Sequence, residues 1–175
     1  PTTTGTLGET FTNNGTIKGT GHITGAVSGS GTISPGNSAG GMTIDGHLLH
    51  DGGGHEIELG GLFHGDGDKS LTEHDWMDVT GNVELSGILH VHLIDDFELA
   101  EEMSFNILRV GGTLTGQYDG LDEGSLVGNF SGQDLFITYV GGDGSDVTLF
   151  TVPESTTVLI WSMLAGLGLA VRRRQ

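Results

Sequence analysis

Two acidic turns and a run of histidines are the parts of this chain whose residue types could do chemistry. Gly141-Gly142-Asp143-Gly144-Ser145-Asp146 sets two carboxylates three positions apart among glycines, and carboxylates with turn carbonyls are the hard oxygen ligands that Ca²⁺ takes. Asp143 and Asp146 are therefore weak calcium candidates. The same residues also read as a tight turn between two strands, which the sequence favours because the unit occurs once. Gly65-Asp66-Gly67-Asp68 is a second acidic turn of that kind. Seven of the eight histidines lie between His47 and His92. His90 and His92 alternate onto one strand face, where His55 or His74 could complete a metal site, although that face reads as the wet one and surface histidines are the plainer reading. The carboxylate pairs Asp95/Asp96, Asp75/Asp78 and Glu56/Glu58 could serve glycoside hydrolysis, which needs two carboxyl groups roughly 5 to 10 Å apart. With 23 acidic residues such pairs also arise by chance. No P-loop or His-Glu-x-x-His motif is present, and no catalytic residue is assigned.

The elements that must position these groups follow from composition. The chain has 175 residues with 33 glycines, three prolines, no cysteine and a net charge of -17. Disulfides and Cys-based zinc sites are excluded, and so is collagen, because glycine does not recur at every third position. The acidity argues against a nucleic-acid partner, whose phosphates call for Lys and Arg. Up to Thr151 there are 22 acidic residues against Lys18, Lys69 and Arg109, and the other three basic residues are Arg172, Arg173 and Arg174. The body and the tail are different kinds of sequence.

Residues 1–50 are rich in Gly, Thr, Ser and Asn, and Ile17, Ile23 and Ile33 each follow a glycine and a polar residue. Such phrases predict short strands that bury a core only by stacking, with low-complexity linker as the alternative. Residues 51–151 carry a stronger signal. Met77, Val79, Val83, Leu85, Leu89, Val91 and Leu93 alternate with polar residues, and Gly81 and Gly87 sit on the apolar register. Period two predicts a buried face and a wet face, with the glycines marking corners. His55–Leu59, Phe105–Val110, Leu135–Val140 and Val147–Thr151 are further predicted strands, and Asp95–Met103 is predicted to form a helical turn or more.

Residues 152–175 begin Val152-Pro153-Glu154-Ser155. They continue through an uncharged run that includes Val158, Leu159, Ile160, Trp161, Leu164, Leu167, Leu169 and Val171, and then reach the three arginines. As a helix, 158–171 spans roughly 21 Å against a hydrocarbon core of roughly 30 Å, which Thr156, Thr157 and snorkelling arginines would extend. It reads as a marginal transmembrane helix with Arg172, Arg173 and Arg174 as a cytoplasmic basic stop. A buried core helix is the alternative, disfavoured because Ser162 is its only polar break.

Val152-Pro153-Glu154, the apolar segment and the arginines in that order resemble the PEP-CTERM sorting signal of Gram-negative bacteria, with Ser155 standing where the family signature has a second proline. The resemblance implies export across the inner membrane, transient retention by the C-terminal helix, and processing by an exosortase as partner enzyme. Ile33-Ser34-Pro35-Gly36-Asn37-Ser38-Ala39-Gly40 followed by Met42-Thr43-Ile44 resembles the motif of autotransporter-associated β-strand repeats. Residues 141–149 resemble the calcium nonapeptide of RTX β-rolls, with Thr148 where a large apolar residue is expected. The repeat resemblance implies a right-handed parallel β-helix or related β-solenoid; a fold of that kind assigns no activity. The chain starts inside a repetitive stretch, so an entry signal and further repeats are expected upstream. The function expected is a non-enzymatic, structural or adhesive protein of the bacterial cell surface or extracellular matrix, with polysaccharide as an extracellular partner. A polysaccharide-acting β-helix enzyme and a calcium-stabilised adhesin are the alternatives.

Overall fold

A computed structural model describes residues 10–153. Its strands are short because glycines and polar turns interrupt the chain every few residues. They are β1 (Thr10–Thr12), β2 (Thr16–Gly19), β3 (Gly21–Thr24), β4 (Ala26–Gly29), β5 (Thr32–Pro35), β6 (Gly41–Asp45), β7 (Leu48–His50), β8 (Gly54–Leu59), β9 (Trp76–Val79), β10 (Val83–Leu85), β11 (Ile88–Leu93) and β12 (Ser104–Val110). After these come β13 (Leu114–Gly116), β14 (Leu126–Phe130), β15 (Gln133–Gly141) and β16 (Asp146–Thr151).

Every third strand pairs in parallel. One sheet is β1-β4-β7-β10-β13, a second is β2-β5-β8-β11, and a third contains β3-β6-β9-β12. Each turn of chain thus lays one strand on each of three walls, and the next turn stacks on it. The register aligns inward side chains into columns: Phe11, Val27, Leu48, Val83 and Leu114 on the first wall; Ile17, Ile33, His55 and Leu89 on the second; Ile23, Ile44, Val79 and Val110 on the third. One inward aliphatic residue, worth about 1.5–3 kcal/mol when fully buried, cannot order a four-residue strand; a column of them can. Ile33, Ile44, Val79 and Val83 are buried, whereas Ile17 and Ile23 are half-buried and Phe11 is exposed. The first turn has no described neighbour on its outer side.

The opposite end is closed by a change of direction. β16 runs antiparallel to β12, and β15 and β14 continue antiparallel beyond it. Tyr118 and Tyr139 fasten this cap: the Tyr118 amide donates to the Tyr139 hydroxyl (3.1 Å), which donates to the Leu121 carbonyl (2.8 Å).

The alternation from Met77 to Leu93 is present, folded over three walls: it turns its corners at residues 80–82 and 86–87. The helical expectation for Asp95–Met103 is not met. Asp95, Asp96 and Glu102 adopt left-handed backbone conformations (φ 55°, 56° and 60°), while Leu99 is buried and the Thr151 hydroxyl donates to the Ala100 carbonyl at 2.6 Å. Tertiary anchoring, which also includes the Ile94 amide on Leu59 O and the Met103 amide on Thr151 Oγ1, overrides the local helix preference of this Glu- and Leu-containing stretch. The predicted C-terminal helix, residues 158–171, lies outside the described residues. Among those residues, no helix is long and apolar enough to cross a membrane.

Candidate functional site

The three corners of the winding are not equivalent. From the first wall to the second the links are 13–15, 30–31, 51–53 and 86–87; from the third to the first they are 25, 46–47, 80–82 and 111–113. Between the second and third walls they are 20, 36–40, 60–75 and 94–103. Only this last corner exceeds three residues, and in stacked folds insertions of this kind gather on one face that often does the binding.

The longest excursion, 60–75, is built around Asp75. Its carboxylate accepts hydrogen bonds from the amides of Gly40 (2.7 Å) and Glu58 (2.9 Å), tying the 36–40 loop to β8. The side chain is fully buried, and burial pushes its carboxyl up to about 8 against the pull of those two amides. The next residue, Trp76, points outward from β9 but is covered by the excursion. His64 stacks on it with ring centroids 4.6 Å apart. Lys69 and Arg109 lie 5.9 and 5.3 Å from its ring centre, so two of the three Lys and Arg residues of the acidic body meet at one indole. Arg109 is also held by Asp78 through bonds of 2.6 and 3.1 Å, and Lys69 donates to Gly21 O and Thr43 Oγ1. A shallow cleft of about 480 Å³ opens beside Lys69, lined by Thr20, Gly21, Gly67, Asp68 and Ser70.

His74 closes the inner side. Its Nδ1 faces Gly61 O at 3.1 Å, its ring meets Phe105 edge-on, and burial pulls it down to about 4. The Nε2 atoms of His64 and His74 and the Nε1 of Trp76 are all buried without a hydrogen-bond partner.

A second polar group lies inside the winding. His55 occupies an otherwise aliphatic column and contacts the Tyr118 hydroxyl through Nδ1, with His50 at a ring separation of 6.4 Å. Burial, with a smaller contribution from His50, holds His55 down at about 3.

The sequence-derived candidates are mostly kept apart. His90 and His92 are exposed on β11, and His92 bonds Glu56 at 2.9 Å; His55 and His74 are buried elsewhere. Asp75 is internal, whereas Asp78 faces outward to Arg109. Glu56 and Glu58 lie on the outer side of β8, and Asp95 and Asp96 form an exposed turn. The turn at 142–145 joins antiparallel strands β15 and β16. Asp146 accepts from the Val110 amide (2.9 Å) and Asn106 Nδ2 (2.8 Å), while exposed Asp143 accepts from Ser145 Oγ (3.0 Å). Asp146 thus fastens the cap to β12. Among the described residues no three His, Asp or Glu side chains converge as a metal site. Val152 and Pro153 are described and exposed, while Glu154, Ser155 and the remainder of the tail fall outside.

The sequence reading counts no Gly-x-Ser-x-Gly elbow, yet Gly36-Asn37-Ser38-Ala39-Gly40 has that spacing; it links two strands rather than a strand and a helix, and Ser38 makes no hydrogen bond to an imidazole. The inward turn of His55 and His74 was also missed; the aliphatic column around His55 was its one available signal. No family model, curated protein or solved structure matches this chain.

Proposed function

We propose that this chain is an exported structural or adhesive protein of a bacterial cell surface or extracellular matrix, acting without catalysis. Its body is a right-handed parallel β-helix, and residues 152–175 form an exosortase-type sorting signal. The observation that carries the reading is the joining of two unlike parts: a stack of parallel coils closed by an antiparallel cap, and directly after that cap Val152-Pro153-Glu154, an apolar run and three arginines. The stack supports the structural role because its repeating walls give length and stiffness, while the single expanding corner offers a ridge for contacts, polysaccharide among them, without disturbing the core. The tail supports delivery: the apolar run enters the inner membrane, the arginines stay cytoplasmic, and the exosortase cuts near Pro153-Glu154-Ser155.

Mass spectrometry of the protein recovered outside its native cells tests this. The expected material ends near residues 153–155, whereas extracellular chains ending in the intact Arg174-Gln175 would overturn the processing step. Substitution of all three arginines is expected to leave uncut protein in the membrane fraction.

A further inference from the structure

We propose that His64 and His74 are a two-histidine site for a divalent transition ion of the kind imidazole prefers, Zn²⁺, Ni²⁺ or Cu²⁺. Three independent features of the excursion 60–75 converge on it. First, the Nε2 atoms of both rings are buried and unpartnered, and buried polar atoms in native proteins nearly always have a partner. Second, His74 is oriented as ligating histidines are, with Nδ1 on a backbone carbonyl, Gly61 O at 3.1 Å, which places the proton there and leaves the Nε2 lone pair free. Third, two imidazoles sharing one tetrahedral ion through bonds of about 2.0–2.1 Å hold their ring centroids about 5 Å apart; His64 and His74 stand at 5.5 Å.

Two positive charges, Lys69 and Arg109, lie nearby and oppose a cation; Asp78 pairs with Arg109 at 2.6 and 3.1 Å and offsets part of that repulsion. His64 is only partly covered although its Nε2 is buried, while His74 is 3 % exposed. No third protein ligand joins the pair among the described residues, so water or an oxygen of a bound partner completes the shell. An open shell of that kind suits an ion that bridges to something outside the chain more than one that only stabilises the fold.

Trp76, stacked on His64, is a built-in reporter. In the untagged 175-residue chain with Trp161→Phe, Trp76 is the sole tryptophan. Titration with NiCl₂ is expected to quench its fluorescence saturably at sub-millimolar ion, with reversal by EDTA, and ZnCl₂ should compete and raise the melting temperature. His64→Ala, at the more open position, should fold and weaken binding by about tenfold or more, and His74→Gln should do the same. His90→Ala/His92→Ala should change nothing. Absence of saturable quenching, quenching unchanged in His64→Ala, or quenching lost in the His90/His92 variant would each overturn the site.

Discussion

Two corners of the winding stay within one to three residues from coil to coil while the third runs from one residue to sixteen. The difference lies in how closely the backbones approach. At the tight corners a Cβ on Gly31, Gly53 or Gly87 would fall 2.0–2.4 Å from the carbonyl oxygen of the coil below, and one on Gly46 or Gly81 would fall 2.5 Å from the preceding coil's backbone. Successive turns there are stacked glycine on glycine, which leaves no room for a side chain between them and keeps these links to one to three residues. At the third corner the chain can leave and re-enter, provided something fixes the re-entry point, and Asp75 does so for the longest excursion. Rigid corners preserve the fold; the free corner gathers Trp76, two of the three imidazoles whose Nε2 is buried without a partner, and two of the body's three Lys and Arg side chains.

The largest effect is expected where the free corner is tied back to the stack. Asp75→Ala leaves the amides of Gly40 and Glu58 buried without acceptors, at about 1–3 kcal/mol each. Denaturant unfolding should show a loss of about 2–6 kcal/mol, and a loss near zero would mean that the excursion docks without this clamp. Asp75→Asn separates charge from shape. Because burial raises the folded carboxyl to about 8, its contribution is fully present below about 3.8 and is lost as pH rises through 8. His55 and His74, lowered to about 3 and 4, run the other way: their contribution is full above about 6.5 and lost as pH falls toward those values. Between pH 6.5 and 8 the histidines are silent. There, with chelator present, the wild-type melting temperature should fall with pH and that of Asp75→Asn should stay level.

At a tight corner, Gly53→Ala brings a Cβ to 2.0 Å from Gly31 O, and no flexible side chain is available to yield. A cost toward the upper end of about 1–3 kcal/mol is expected from thermal or urea unfolding. A neutral result would show that the coil spacing is softer than the stacked glycines imply.

The same contrast explains how much could be read from residues alone. Alternation from Met77 to Leu93 and the corner glycines Gly81 and Gly87 were legible because side-chain period two survives when a strand bends onto the next wall. The stacking repeat was not. Ile17 stacks on Ile33, and Ile23 on Ile44, whereas Ile17, Ile23 and Ile33 look in sequence like successive copies of one unit. Ile23 belongs to a different wall from Ile17 and Ile33, and the growing third corner changes the repeat from coil to coil, which hides it from any search at fixed spacing. β14 was missed because Leu126–Phe130 has no clean alternation and pairs only through a bulged hairpin. The site at Trp76 was illegible for a related reason: His64, Lys69 and Arg109 approach it from separate segments, and nothing local marks an outward tryptophan as covered.

The smallest effect separates the excursion's anchored side from its exposed side. Leu62, Phe63 and Leu71 are exposed, at 51 %, 43 % and 61 %, on the same loop that buries Thr72, His74 and Asp75. Leu71→Ser removes an apolar group that is already in water, so stability should change by no more than about 0.5 kcal/mol. If the loop were only a cover for Trp76, the fluorescence of that residue and the binding of NiCl₂ should also be unchanged. A larger loss of stability on Leu71→Ser would mean that the excursion folds back on itself and has a small core of its own. The free corner would then be a second packed layer, and the contrast with the tight corners would be one of thickness rather than freedom.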